Sequence, residues 1–284
     1  MTLLGQKYSM TIVTDEFKPA SFIYEERGPV ALITFNRPDR LNSLTFEVYR
    51  ELTETMAALE RRDRIRVVII TGQGRGFCSG GDVNDIIGEL FTRDALGLRD
   101  FTRLTCNLIS NIRALRKPVI ASLNGTVAGA GAVIALACDL RIAADTARIA
   151  FLFVKVGLAG ADMGAGYLLP KIVGLGKATE LLLTGDFITA EEAARIGLYN
   201  KVVPAAELGA ESFAWAERLA AGPGFALGMT KSSLTRELEM GLESALVAES
   251  ETQALCMLNP DFKEAYDAFV QKRSPSFNKS RIDS

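Results

Sequence analysis

The sequence predicts an α/β fold, because short apolar runs alternate with segments of helical pattern along most of the chain. Two apolar strands are predicted at 67–71 (VVIIT) and 119–123 (VIASL), and each precedes a glycine-rich turn and a helical segment. The pattern changes near residue 204, beyond which helices dominate. We therefore predict a leader over 1–18, an α/β core over 19–203 and a helical C-terminal region over 204–284.

The first elements of the core have clear signals. The runs 21–26 (SFIYEE) and 30–36 (VALITFN) flank a Gly-Pro turn, which predicts a β-hairpin. Apolar side chains recur at helical spacing over about 45–62, which predicts a helix. A second helical stretch is predicted over 83–116, with a break near Gly97.

The later elements are predicted in the same way. Strands are expected at 140–144 and 148–153, and the capping box that starts at Thr189 indicates a short helix. Helices of the C-terminal region are expected at about 204–221, 239–257 and 261–272. The apolar stripe of the last helix places Phe269 in the core.

Composition narrows the classes of function. The chain has 284 residues, of which 48% are hydrophobic and 23% charged, and its net charge of −2 argues against a nucleic-acid partner. It shows neither a signal-peptide pattern nor an uninterrupted membrane-spanning run, so a cytoplasmic protein without a membrane partner is expected.

The chain contains no histidine, which removes Ser-His-Asp catalysis, a histidine base and histidine metal ligands. None of the four cysteines has a CxxC partner, so no metal site is predicted. All four cysteines are expected to be small buried residues. Any catalysis must therefore use carboxylates, lysine, tyrosine, cysteine or main-chain groups.

The two glycine-rich turns are the most informative feature. They are 77–82 (FCSGGD) and 124–139 (NGTVAGAGAVIALACD), and each connects a predicted strand to a predicted helix. Glycine lets main-chain N–H groups approach a ligand closely. Two such turns can direct two N–H donors at one oxygen atom, which is the arrangement of an oxyanion hole.

These motifs resemble the crotonase (enoyl-CoA hydratase/isomerase) superfamily. The resemblance is carried by four segments in matching order, 36–44, 74–82, 117–143 and 181–203, and it extends over about 20–275. It implies a crotonase-like spiral of ββα units with a helical C-terminal region that forms a trimer or a dimer of trimers. The implied ligand is an acyl thioester of coenzyme A, with no separate cofactor, in fatty acid metabolism.

The resemblance also implies roles for individual residues. The oxyanion donors correspond to the amides of Gly81 and Ala130, although the family usually has glycine at the second position. Coenzyme A is expected near Arg40, Leu41, Ser79 and Gly80. Phe269 and Lys272 resemble residues that cover the nucleotide, sometimes from a neighbouring subunit.

The chain departs from the hydratases of the family at the reacting centre. Their two glutamates, which hold a water molecule, correspond here to Val133 and to about Phe153, and neither residue can ionise. The resemblance therefore puts one-step hydration in doubt and implies a drier acyl pocket.

One carboxylate, Asp162, lies near the position of a functional aspartate in isomerases and in dehalogenating or hydrolysing relatives. It is the candidate acid/base, and its alternative role is to cap the helix that follows. Asp82, Asp85 and Glu89 are further candidates, because the resemblance places their segment at the acyl pocket, with Asp82 at the substrate. Their alternatives are a cap at Asp82 and a solvated helix face.

Three hypotheses remain at this stage. The first is an enoyl-CoA hydratase/isomerase-type enzyme that stabilises an enolate and uses Asp162 as acid/base. The second is a thioester hydrolase or another nucleophilic enzyme of the same fold. The third is a CoA-ligand-binding subunit without catalysis.

Overall fold

The computed structural model describes residues 19–277, so the leader predicted over 1–18 lies outside the described residues. The strands are β1 (Ile23–Arg27), β2 (Val30–Phe35), β3 (Val67–Gly72), β4 (Gly76–Cys78), β5 (Val119–Leu123), β6 (Thr126–Ala128), β7 (Leu140–Ala144), β8 (Arg148–Ala150), β9 (Ile188–Thr189) and β10 (Lys201–Val203). The α-helices are α1 (Phe46–Leu59), α2 (Ala95–Ala114), α3 (Ala130–Ala137), α4 (Ala165–Val173), α5 (Leu175–Thr184), α6 (Ala190–Arg195), α7 (Leu208–Ala220), α8 (Gly224–Glu237), α9 (Leu242–Leu258) and α10 (Pro260–Val270).

The strands form two sheets, which confirms the α/β prediction. One sheet has six strands in the order β1-β2-β3-β5-β7-β10, and the other has four in the order β4-β6-β8-β9. The predicted hairpin is present as the antiparallel pair β1–β2, and the pairs from β2 to β10 are parallel. Strands β3 and β5 are buried along most of their length, as continuous apolar runs in a parallel sheet predict.

The helical stretch predicted over 83–116 is present with a break near Gly97, one strand is shorter than predicted, and one helix was not predicted. The segment predicted as helix from 83 begins with a π-helical turn, Val83–Gly88, and the break precedes α2, whose first turn contains Gly97. The strand predicted over 148–153 ends at Ala150, and a 3₁₀ turn, Leu152–Val156, follows it. Helix α8 was not predicted, because its glycine, serine and threonine residues weaken the helical pattern.

The C-terminal region contacts the core through an ion pair between a buried lysine and a partly buried aspartate. The Lys231 ammonium of α8 lies 2.8 Å from the Asp139 carboxylate and also donates to the carbonyl oxygen of Ile112. Burial lowers the pKa of Lys231, while Asp139 opposes that effect. The pair holds α8 against the end of α2 and the start of β7.

Helices α9 and α10 leave many apolar side chains uncovered in the single chain. Phe262, Tyr266 and Phe269 share one face of α10, but Phe269 is 84% exposed. The prediction that Phe269 belongs to the core is therefore wrong, because the helix stands at the edge of the fold. None of the helices between residues 19 and 277 has the length and apolarity needed to cross a membrane.

The cysteines are also less uniform than expected. Cys78 and Cys138 are buried, and burial raises the pKa of each thiol to about 12. Cys256 is half-buried and Cys106, on α2, is exposed. The expectation of a buried thiol is therefore wrong for Cys106.

Candidate functional site

The main chains of the two glycine-rich turns lie in direct contact with each other. Gly80 has a φ of 105°, and a Cβ added to it would lie 3.3 Å from the Ala128 oxygen and 3.5 Å from the Ala130 nitrogen. Gly129 has a φ of 52°, and a Cβ added to it would lie 3.5 Å from the Cα of Gly80. Only glycine combines this backbone conformation with this contact.

Two amides at this junction have no internal acceptor. Leu44 pairs with the chain on either side of Gly81, since its N–H donates to the Gly80 oxygen and its oxygen accepts from the Asp82 N–H. Ala130 is the first residue of α3, where amides lack helical partners. Within residues 19–277, neither the Gly81 N–H nor the Ala130 N–H donates a hydrogen bond. Both are available to an external acceptor.

A network of polar side chains, which was not predicted from the sequence, holds the first turn in place. Asn42 is 1% exposed, and its side-chain amide donates to the main-chain oxygens of Gln73 (2.9 Å) and Gly76 (2.7 Å). Its φ of 57° is a conformation that asparagine tolerates better than most residues. The polar motif NRPDRLNS was the available signal, since buried asparagine needs partners.

Asp82 belongs to the same network. Its carboxylate caps the π-helical turn by accepting from the N–H groups of Asn84 and Asp85, and it accepts from the Ser43 hydroxyl at 2.8 Å. The Arg37 guanidinium lies 3.1 Å away. Burial alone raises the pKa of Asp82, but these hydrogen bonds and Arg37 outweigh it and lower the pKa to about 2. Asp82 is thus a fixed anion that supports the turn.

The neighbouring carboxylates point to solvent. Asp85 is exposed and lies 3.4 Å from Arg37, while Glu89 pairs with Arg93 at 2.5 Å. The segment that connects them is π-helical and not α-helical, so the two residues do not share a face in the way that i and i+4 residues of an α-helix do.

Asp162 has a different environment. It is half-buried in the turn before α4, and its carboxylate accepts one hydrogen bond, from the Met163 N–H at 2.8 Å. Burial raises its pKa and that hydrogen bond only partly opposes the rise. Residue Gly164 occupies the N-cap position of α4 without a side-chain cap, so the alternative of Asp162 as helix cap is wrong.

The turn around Asp162 packs against α2. A Cβ added to Gly164 would lie 3.8 Å from the side chain of Ile109. One turn earlier on α2, partial burial of the thiol and then the charge of Asp162 raise the pKa of Cys106. Asp162 therefore shares its surroundings with one face of α2.

The two positions that correspond to the hydratase glutamates are apolar and buried. Val133 lies in the first turn of α3 and is 0% exposed, and Phe153 in the 3₁₀ turn is 8% exposed. Within residues 19–277, no three histidine, cysteine, aspartate or glutamate side chains come together as a metal site would require.

The residues predicted near coenzyme A fall into two groups. Leu41 and Ser79 are adjacent, since the Ser79 N–H donates to the Leu41 oxygen at 3.0 Å, and Arg40 beside them is exposed. Phe269 and Lys272 lie at the end of α10, where both are exposed. Their predicted contact with the nucleotide stays a prediction.

Comparison with known proteins identifies the family of the chain. The family described as enoyl-CoA hydratase/isomerase matches residues 25–280. The 1,2-epoxyphenylacetyl-CoA isomerase of Escherichia coli K12 is 38% identical over 253 residues, covering 89% of this chain and 95% of the relative. The short-chain-enoyl-CoA hydratase of Clostridium acetobutylicum is 34% identical over 260 residues, covering 91% and 98%.

Solved structures share the fold. A protein from Streptomyces coelicolor A3(2), assigned to the enoyl-CoA hydratases, superposes with a TM-score of 0.92 at 44% identity, covering 96% of this chain and 99% of that one. An enoyl-CoA hydratase from Mycobacterium smegmatis gives a TM-score of 0.84 at 30% identity, covering 90% and 98%. The chain therefore belongs to the enoyl-CoA hydratase/isomerase family, whose members it matches over nearly its whole length in both sequence and structure.

Proposed function

We propose that this acyl-CoA enzyme moves a carbon–carbon double bond along the acyl chain and uses Asp162 as its single acid/base. The observation that carries the proposal is the contrast between Asp162 and the two hydratase positions. Asp162 is a half-buried carboxylate with a raised pKa, whereas Val133 and Phe153 are buried apolar residues. A carboxylate whose pKa is raised toward neutrality is better suited to both take and return a proton.

The reaction begins with a β,γ-unsaturated acyl-CoA. The Asp162 carboxylate removes a proton from the α carbon. The electron pair of that C–H bond forms a double bond between the α carbon and the thioester carbon, and the π electrons of the carbonyl group move onto the thioester oxygen. The resulting dienolate oxygen accepts hydrogen bonds from the N–H groups of Gly81 and Ala130. Asp162 then returns the proton to the γ carbon, and the product is the α,β-unsaturated thioester.

Hydration in one step would need a water molecule held by two carboxylates. The apolar side chains of Val133 and Phe153 offer that water no hydrogen bonds, and their burial favours a dry pocket. The named relatives include both an isomerase and hydratases, so the family alone does not choose between these reactions. The side chains at the two positions favour isomerisation.

Coenzyme A enters this proposal as part of the substrate, and no separate cofactor is required. Its nucleotide is assigned to the turn formed by Arg40, Leu41, Ser79 and Gly80, with Phe269 and Lys272 of a neighbouring subunit as its cover. Exposed apolar side chains along α9 and α10 support assembly into a trimer or a dimer of trimers.

The test is product analysis in deuterium oxide. The enzyme is incubated with β,γ-unsaturated hexenoyl-CoA, and the products are followed by mass spectrometry and proton NMR. We expect conversion to α,β-unsaturated hexenoyl-CoA in which the α proton is largely carried over to the γ carbon, because Asp162 returns the proton that it removes, with no gain of one water and no free coenzyme A.

Each other result contradicts the proposal in a different way. Gain of one water from the α,β-unsaturated thioester as the main reaction supports a hydratase. Release of free coenzyme A supports the hydrolase hypothesis. Binding of both thioesters without deuterium exchange or turnover supports a CoA-ligand-binding subunit.

A further inference from the structure

The turn that carries Asp162 has an unusual backbone conformation. The Ala165 N–H donates to the main-chain oxygen of Asp162 at 2.8 Å, which closes a four-residue β-turn over 162–165. Both central residues have a positive φ, 49° at Met163 and 91° at Gly164. A positive φ at both central positions is the mark of a type I′ turn.

The residue types of the turn do not favour this conformation at Met163. Gly164 adopts a positive φ freely, but a type I′ turn usually has Asn, Asp or Gly at the preceding position as well. Glycine at 164 is equally compatible with a type II turn, in which residue 163 would have a negative φ. A methionine with a positive φ is strained, so its surroundings must hold it in place.

Burial of the Met163 side chain accounts for the choice between the two turns. Met163 is 3% exposed and belongs to the apolar core, whereas Ala161 and Gly164 nearby are exposed. A change to a negative φ would turn the side chain away from its buried position and return apolar surface to water, which is unfavourable. The burial therefore favours the type I′ turn.

The conformation of Met163 determines the direction of Asp162. Helix α4 follows the turn directly, so rotation about the N–Cα bond of Met163 turns Asp162 relative to that helix. In the observed conformation the Met163 N–H donates to the Asp162 carboxylate at 2.8 Å. The same residue therefore orients the carboxylate and supplies a donor to it.

The chain on both sides of the turn has little freedom to move. A Cβ added to Gly160 would collide with the main-chain oxygen of Leu182 in α5. A Cβ added to Gly166 would lie 2.7 Å from the Cβ of Ala161. Both contacts leave the backbone of Met163 as the point at which the direction of Asp162 can still change.

We propose that Met163 is a positioning residue, whose buried side chain holds the turn in its strained conformation and thereby orients the Asp162 carboxylate toward the acyl chain. The inference rests on the proposed function, because it needs Asp162 as the acid/base. Met163 itself touches no reacting atom in this proposal and acts only through Asp162.

The test measures kcat and KM for β,γ-unsaturated hexenoyl-CoA in Met163→Ala. Alanine also resists a positive φ but has no side chain to bury in compensation, so the turn is expected to relax to type II. We expect kcat to fall about 10- to 100-fold, as a small misplacement of a catalytic group causes. KM is expected to stay within about 2-fold of the wild-type value, because coenzyme A is assigned to other turns.

The pH profile of kcat gives a readout that a loss of packing alone would not change. The Met163 N–H lowers the pKa of Asp162 in opposition to burial. When the turn relaxes, the carboxylate loses this donor and its pKa rises. The acidic limb of the profile is therefore expected to move to higher pH in Met163→Ala.

Met163→Asn separates the backbone conformation from the packing. Asn-Gly is a preferred sequence for a type I′ turn, so this variant is expected to keep kcat within about 3-fold of the wild type although the apolar side chain is gone. A role in packing alone predicts the opposite order, because asparagine would bury a polar group. A kcat of Met163→Asn at or below that of Met163→Ala overturns the proposal.

The matched control is Met56→Ala. Met56 lies on α1, is 1% exposed and loses the same side chain from the apolar core. This variant is expected to unfold at a lower temperature and to keep both kcat and its pH profile. If it loses as much kcat as Met163→Ala, a general loss of stability explains both variants and the proposal is rejected.

Two further variants keep the result decisive. If Met163→Ala does not fold, as judged by thermal unfolding, Met163→Val takes its place, because a β-branched residue resists a positive φ while it still fills apolar space. It is expected to show the same loss of kcat, and an unchanged kcat counts against the proposal. Asp162→Asn is measured in parallel, and wild-type turnover in that variant means that the proposed function has failed, together with the role of Met163. Loss of turnover in Asp162→Asn with unchanged kcat in Met163→Ala overturns the positioning role alone.

Discussion

Asp82 ends the first glycine-rich turn, and Asp162 lies in the turn before α4. Their surroundings shift the pKa values of the two carboxyl groups in opposite directions. Asp82 receives hydrogen bonds from Ser43 and from two amides and lies 3.1 Å from Arg37, so its pKa falls to about 2. Asp162 receives one amide hydrogen bond, and burial raises its pKa. The number of donors around each carboxylate, and not the residue type, separates the two.

The different surroundings of the two carboxylates suit them to different roles. A carboxylate that is surrounded by donors is a poor base, because protonation would cost it several hydrogen bonds. It can instead hold the turn that positions the Gly81 amide. A desolvated carboxylate with few donors keeps its affinity for a proton, as acid/base catalysis requires. The site therefore uses one aspartate for structure and one for chemistry.

The largest effect is expected when Asp162, the aspartate assigned to catalysis, is replaced. Replacing Asp162 by Asn removes the base while keeping the shape of the side chain. Isomerisation of β,γ-unsaturated hexenoyl-CoA is expected to slow by about 10²–10⁴-fold, with deuterium exchange falling in parallel. Steady-state kinetics and NMR in deuterium oxide measure both rates.

The control for this variant is Asp186→Asn, an exposed carboxylate paired with Lys155 at 2.9 Å. It is expected to keep the wild-type rate. Unchanged turnover in Asp162→Asn would remove Asp162 from the mechanism. Neither of the two aspartates would then have a catalytic role.

The second prediction concerns Asp82, the aspartate assigned a structural role. Replacing Asp82 by Ala removes a cap and leaves the partly buried Arg37 without its closest carboxylate. The free energy of unfolding in urea is expected to fall by about 2–4 kcal/mol. Asp94→Ala is the matched control, because Asp94 caps α2 from an exposed position through the Gly97 N–H. It is expected to lower that free energy by only about 1 kcal/mol, and equal losses in the two variants would argue against the buried network.

The sequence allowed the fold to be predicted well and the site only in part. The apolar runs of β3 and β5 determined two central strands, and the glycine turns indicated where main-chain donors lie. The environments of the two aspartates depend on contacts from distant segments, such as Ser43 with Asp82 over 39 positions. Helix α8 was not predicted because its glycine, serine and threonine residues weaken the helical pattern, whereas its contact with the core through Lys231 and Asp139 depends on distant segments.

Stability as a function of pH sharpens the comparison, because the two pKa shifts have opposite signs. The pKa of Asp82 is depressed, so its stabilising contribution is present above its unfolded value of 3.8 and is lost as pH falls through about 2. The pKa of Asp162 is raised, so its contribution is present below 3.8 and is lost as pH rises through its folded value.

Urea unfolding of the wild type, Asp82→Asn and Asp162→Asn over a pH series measures these contributions. Relative to the wild type, Asp162→Asn is expected to gain stability as pH rises from below 3.8, while Asp82→Asn is expected to lose it. Parallel curves for the two variants would mean that the two environments do not differ as described.

The smallest expected effect concerns the ion pair that contributes to the low pKa of Asp82. The Arg37 side chain also donates to the Ser43 oxygen at 2.7 Å, and a glutamine there can replace part of that hydrogen bonding but not the charge. Arg37→Gln is therefore expected to raise the pKa of Asp82, followed by carboxyl NMR, and to lower the free energy of unfolding by about 1 kcal/mol. Arg61→Gln, at an exposed arginine on the turn after α1, is the control and is expected to change neither quantity. If the Asp82 pKa does not move in Arg37→Gln, hydrogen bonds alone hold it down, and the charge of Arg37 has no part in separating the two aspartates.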